Sequence, residues 1–261
     1  MAMFPTPALT VKIKMTATDN SNSARAAKSP IVLVHGAWHG GWCWRRVVPL
    51  LQAAGHEVFA PTLTGLADRA HLLVRAINLD THIQDVIGLL ESAELSNAVL
   101  VGHSYAGAVI TGVADRAASH LSSLVYLDAF LPANGKRMVD YINPARREAT
   151  IKAGEATGFV DAPDAALFGL VPGTDDMAWV TRRMTRHPFG TMSQPLRLDK
   201  DGGAHLRRMY IHCTKPGTGS FDQFADVLRK DARWTFHEFQ TGHDCMVLQP
   251  AETARLILRA T

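Results

Sequence analysis

Ser104 has the surroundings most specific to a chemistry. It stands in Gly102-His103-Ser104-Tyr105-Ala106-Gly107. The apolar run at 98–101 reads as a buried strand, and the stretch 105–118 as a helix. A serine caught between strand and helix, with only small residues two places away on either side, fits a nucleophile elbow. Such a turn lifts the hydroxyl above the strand ends and beside a helix N-terminus, where outward-pointing N–H groups favour developing negative charge. The usual G-x-S-x-G pattern has Ala106 in its fifth place here, and Gly107 follows.

A serine hydroxyl is a weak nucleophile until a base takes its proton. The candidate base is His243, in the tight Thr241-Gly242-His243-Asp244 turn after the last expected strand. The base in turn needs an acid that fixes its tautomer and stabilises the imidazolium. Two carboxylates compete. Asp128 ends the strand expected at Leu121–Leu127, on the edge that carries the site; Asp222 lies inside a helix expected at 221–230. Asp128 is the preferred acid and Asp222 the rival. The glycine-rich run from His35 to Trp44 can expose backbone N–H groups, so the N–H of Ala37 and that of Tyr105 are the expected oxyanion donors. His35 and His39 are expected to be hydrogen-bonded supports. They have no third partner nearby in sequence, and the chain shows no metal-ligand spacing, so neither a metal nor a cofactor is expected.

These side chains need elements to hold them, and the chain supplies an alternation of strands and helices. Strands are expected at 31–34, 57–60, 98–101, Leu121–Leu127, 206–213 and Trp234–Phe239; helices at 42–54, 79–90, 105–118, 221–230 and 251–259. Asp80 and Thr81 are available to cap the second helix, and Ser220 the fourth. This is the signature of a three-layer α/β fold with a mainly parallel sheet, whose sites form at the carboxyl ends of the strands. Residues 132–204 break the alternation, with Pro144, Pro163, Pro172, Pro188 and Pro195 and short helical pieces such as 175–186. They read as a helical cap inserted after the strand ending near Asp128. The expected organisation is therefore a flexible leader at 1–29 with a weak edge strand at 9–15, a core at 30–131 and 205–261, and a cap at 132–204. Arg182, Arg183 and Arg186 read as a solvated helix face, and the polar residues of 61–72 as a solvated loop. Phe130, Phe168, Trp179 and Phe189 suit an apolar pocket lining and core packing equally well.

Composition narrows the classes. The 261 residues carry 27 Lys and Arg against 24 Asp and Glu, without a block of like charge, which argues against a nucleic-acid surface. No apolar run is long enough to cross a membrane, and none at the start reads as a secretory signal. Cys43, Cys213 and Cys245 show no paired spacing and suit the reduced thiols of a cytoplasmic protein. The expected partner is a small molecule; a homodimer is left open.

The chain from Ile31 onward resembles α/β hydrolases, in particular the plant methylesterase and hydroxynitrile lyase family. The resemblance is carried by Val-His-Gly-Ala-Trp-His-Gly-Gly-Trp from Val34, Gly-His-Ser from Gly102, Tyr-Ile-His-Cys-Thr from Tyr210 and Gly-His-Asp-Cys-Met from Gly242. It implies Ser104 as nucleophile, His243 as base, and Ala37 and Tyr105 as oxyanion donors. The sequence departs from the family where an acid usually follows the Cys-Thr ending at Thr214: the run 215–220 has no carboxylate. It departs from the lyases in having Asp244 and Cys245 where they carry a lysine, and Gly36 where they carry a threonine. Both differences favour ester hydrolysis through an acyl-enzyme. A ligand-binding protein on the same fold and a lyase using the same pocket are the alternatives.

Overall fold

In the computed structural model, which describes residues 28–261, the expected alternation builds a six-stranded parallel sheet. The chain runs through β1 (Ile31–Val34), α1 (Val48–Ala53), β2 (Val58–Phe59), α2 (Leu79–Ser92), β3 (Ala98–His103), α3 (Ala106–Ala117) and β4 (Leu121–Leu127). It leaves the sheet for α4 (Pro144–Thr157), β5 (Phe159–Val160), α5 (Asp175–Thr181), β6 (His187–Pro188) and α6 (Gly190–Ser193). It returns through β7 (Arg207–Cys213), α7 (Asp222–Leu228), β8 (Trp234–Phe239), α8 (Cys245–Leu248) and α9 (Pro250–Ile257). The leader up to residue 27, with the strand expected at 9–15, lies outside the described residues.

Strand order in the sheet is β2-β1-β3-β4-β7-β8, and every pairing is parallel. Parallel strands covered on both faces should read as unbroken apolar runs. The Ile-Val-Leu-Val of β1 does so, with all four residues buried. One apolar cluster gathers the inner faces of α2 and α3 on one side of the sheet; the other gathers α1, α8 and α9 on the opposite side. The chain steps from β1 outward to β2, then back past β1 to β3. The direction of winding reverses between β1 and β3, so the loops leaving their carboxyl ends diverge and open a crevice. Those two loops carry Ala37 and Ser104.

Residues 132–204 contribute nothing to the main sheet; β5 and β6 pair with each other, antiparallel. Their re-entry to β7 is organised by Asp115 of α3, a buried carboxylate that accepts backbone N–H bonds from Asp199, Lys200 and Gly202 at 2.9–3.0 Å. It thereby satisfies donors that would otherwise be orphaned in the interior.

Several expected helix ends move. The helix expected at 42–54 is a 3-10 turn (Gly41–Trp44) followed by the shorter α1, because Pro49 lacks an N–H and is tolerated only in a first turn. α2 is capped by Asn78, whose side chain accepts from the Thr81 N–H while the Thr81 hydroxyl answers the Asn78 N–H. Asp80 is occupied instead by Arg116 and Gln194. Ser220 does not cap α7, which starts one residue later, after Phe221. The helix expected at 175–186 stops at Thr181. Arg182 is exposed, but Arg183 stacks on Trp179 and Arg186 pairs with Asp161 at 2.8 Å.

Candidate active site

The elbow forms between β3 and α3 as its small residues require. Ser104 has φ +56°, a left-handed conformation that costs a non-glycine residue energy and needs support from its surroundings. That support is a set of backbone bonds. The Ser104 N–H donates to the Leu127 carbonyl at 3.2 Å, and the Ser104 carbonyl accepts from Phe130 at 3.0 Å and Gly107 at 3.1 Å. Gly107 is obligatory: a Cβ there would run into the Phe130 carbonyl. Gly36 is needed too, since its Cβ would sit 2.9 Å from the Cβ of Ser104. The loop after β1 is therefore pressed against the elbow. The Tyr105 side chain turns away into the core, where its hydroxyl reaches His82 at 3.0 Å. Among the described residues neither the Ala37 nor the Tyr105 N–H donates a hydrogen bond, which leaves both free beside Ser104.

Asp128 ends β4 with φ +43° and is fully buried. Its Oδ2 accepts from His243 Nδ1 at 2.6 Å. Its Oδ1 accepts from the Cys213 N–H at 3.0 Å and from His212 Nδ1 at 3.2 Å. Burial alone would push this carboxyl up; the donors from His212, His243 and Cys213 outweigh it and hold the group below the usual carboxylate range. The His243 ring lies flat on Phe221, with centroids 4.9 Å apart, and its carbonyl accepts from His103 Nε2 at 3.0 Å. Asp222 does not reach His243. Its Oδ1 lies 3.1 Å from His212 Nε2, so the rival carboxylate serves a different histidine.

Ser104 and His243 open onto one cavity of about 280 Å³, whose wall also includes Ala37, Trp38, Phe130, Met138, Phe168, Met192 and Phe221. Of the four aromatic residues singled out from sequence, Phe130 and Phe168 line it. Trp179 packs edge-on against Trp42, and the Phe189 ring lies against Gly154 of α4. Within 61–72 the solvated reading holds for Asp68 and His71, which are exposed, but Thr62 accepts from the Gly41 N–H, and Asp85 holds Thr64.

His35 and His39 are supports, each in its own way. His35 donates from Nδ1 to the Gly36 carbonyl and accepts the Leu63 N–H at Nε2; burial pushes it down to about 3, so it is neutral. His39 faces two acceptors, the Ala37 carbonyl at 2.8 Å and Asp244 Oδ2 at 3.0 Å, so both its nitrogens carry hydrogen. Burial works against that charge, but Asp244 prevails and raises the pKa above the ordinary histidine value. Sequence reasoning missed the contribution of three groups: His103, His212 and Asp244. The one available signal was polarity in an apolar run, as in Met209-Tyr210-Ile211-His212-Cys213.

The sequence profile described as the alpha/beta hydrolase family matches residues 31–256. A carbendazim hydrolyzing esterase from Nocardioides sp. is 42% identical over 233 residues, which cover 85% of this chain and 96% of that one. Methylesterase 2 of Arabidopsis thaliana is 35% identical over 112 residues, 42% of this chain and 43% of that one. An extracellular alpha/beta-hydrolase from a Paenibacillus species superposes with a TM-score of 0.74 at 18% identity, covering 89% of this chain and 99% of the other, a likeness of fold.

Proposed function

Since the chain belongs to the alpha/beta hydrolase family and is a carboxylesterase-type hydrolase, we propose that it cleaves its ester through an acyl-enzyme on Ser104. His243 Nε2 takes the serine proton as Oγ attacks the ester carbonyl. Asp128 holds the Nδ1 proton in place and stabilises the imidazolium. The oxygen that becomes negative is met by the N–H groups of Ala37 and Tyr105. Collapse of the tetrahedral intermediate expels the alcohol, which takes the proton from His243. Water, activated by the same histidine, then releases the acid. The observation that carries this reading is the 2.6 Å Asp128–His243 bond, beside a serine whose cavity the same histidine lines.

We read residues 132–204 as the cap that shapes the substrate space, because Met138, Val160, Phe168 and Met192 all come from it. The apolar wall and a volume of about 280 Å³ suit a small ester with an aromatic or otherwise apolar body. Carbendazim is a natural first substrate to try, given the named relative at 42% identity. Cyanohydrin cleavage fits less well. The residue after His243 is an aspartate already engaged by His39, and a threonine in place of Gly36 would crowd Ser104.

The test is turnover of a p-nitrophenyl ester and of carbendazim by wild type and by Ser104→Ala, with folding checked by circular dichroism. Turnover by wild type and its loss by several orders of magnitude in the variant are expected. Near-normal ester turnover by folded Ser104→Ala contradicts the reading.

A further inference from the structure

We propose that His212, set between Asp128 and Asp222, is a positioning residue for Asp128, fixing through Oδ1 the carboxylate that orients His243. The inference rests on the reading of Ser104, His243 and Asp128 as the ester-cleaving triad.

Asp128 is gripped on both oxygens: Oδ2 by His243, and Oδ1 by His212 and the Cys213 N–H. The acid of a triad needs only one histidine, so the second calls for an account. The His212 side chain is 7% exposed, while the Asp222 carboxylate beyond it is 58% exposed. The ring thus stands between a buried and a solvated carboxylate, hydrogen-bonded to the first and in ion-pair contact with the second.

Other charged and titratable groups around the ring leave this balance in place. α7 brings Asp222 and, further along, Arg229. β8 brings Glu238, the register partner of His212, which is taken by Arg229 at 2.7 Å. On its own strand the neighbouring Cys213 thiol is pushed up by burial and stays neutral. Two carboxylates therefore face the ring against one guanidinium that has its own partner. The hydrogen bond to Asp128 raises the ring's pKa above the ordinary histidine value despite burial.

The consequence for the base follows from position. The ring fixes the carboxylate's orientation through the Oδ1 bond, so that Oδ2 is presented to His243 Nδ1.

Two variants test this, Asp222→Asn at a largely exposed position and His212→Gln inside the site. The readouts are kcat and KM on a p-nitrophenyl ester and, independent of turnover, nitrogen-15 NMR of the histidine rings. In wild type both His212 ring nitrogens should be protonated at neutral pH. KM should stay within about two-fold while His212→Gln lowers kcat about ten-fold and Asp222→Asn lowers it less. A neutral His212 ring in wild type, or an unchanged kcat in His212→Gln, overturns the inference. Failure of the triad reading would look different: wild-type turnover would persist in Ser104→Ala, while the ring titrations would still report on His212.

Discussion

The pairs Asp128–His243 and Asp244–His39 are built from the same two side-chain types, both fully or nearly fully buried, and His243 and Asp244 are adjacent in sequence. They differ in what the second ring nitrogen meets. His243 gives Nδ1 to Asp128, and among the described residues its Nε2 makes no hydrogen bond, so that nitrogen is left to the cavity it shares with Ser104. His39 gives Nε2 to Asp244 and Nδ1 to the carbonyl of Ala37. A buried carboxylate partner therefore does not by itself leave a histidine able to accept a proton from a neighbour; an unengaged ring nitrogen does. The second pair is a brace between the Ala37 loop and the loop that carries His243.

The sharpest way to break the comparison is to remove one acid from each pair. Asp128→Asn should lower kcat on the order of 10⁴-fold, because the base loses the partner that fixes its tautomer. Asp244→Asn should act mainly on stability. Removing one member of a buried ion pair costs about 3–5 kcal/mol, a fall of roughly 6–20 °C in Tm for a chain of this size. The pH dependence of that fall sharpens the assignment. Asp244 is held below the ordinary carboxylate range, against burial, chiefly by His39. Its contribution is present above about pH 4 and fades as pH drops through its folded value. His39 is raised, so its contribution is whole below about pH 6.5 and fades as pH climbs through its folded value. The Tm gap between wild type and Asp244→Asn should be widest between those limits, as read by thermal melts across pH. A smaller effect is expected at Asp222, which touches His212 and not the base. Asp222→Asn should lose less than about ten-fold in kcat at pH 8 when assayed beside Asp128→Asn. If Asp222→Asn is the crippled variant, the acid has been misassigned. Smallest of all, EDTA should leave ester turnover unchanged, and loss restored by a divalent ion would count against a serine mechanism.

Much of the candidate site was legible because it lies where expected strands end in polar turns. β4 and β8 have the bounds expected from sequence; Asp128 follows β4 directly, and His243 stands in the turn four residues after β8. The elbow was legible because its crowding leaves few residue choices, as Phe130 against Gly107 illustrates. Helix starts were less legible, since Asn78, Asp80 and Thr81 within four residues offer several caps and tertiary partners decide among them; Arg116 and Gln194 draw Asp80 away from that role. The partner of Asp222 could not be read at all, because it depends on how α7 packs beside β7. The cavity wall was half legible. Phe130 follows the site strand directly, whereas Trp179 and Phe189 depend on the path of 132–204, where no periodicity constrains the chain.

The central claim is that an acyl group passes through Ser104. Intact-mass spectrometry during turnover of a slowly deacylating p-nitrophenyl ester tests it directly, since acyl-enzyme accumulation is the mark of this mechanism. Wild type should gain the mass of one acyl group, mapped by peptide sequencing to Ser104 and absent in Ser104→Ala. Continued hydrolysis with no adduct on Ser104, or with the adduct on another residue, would contradict the account.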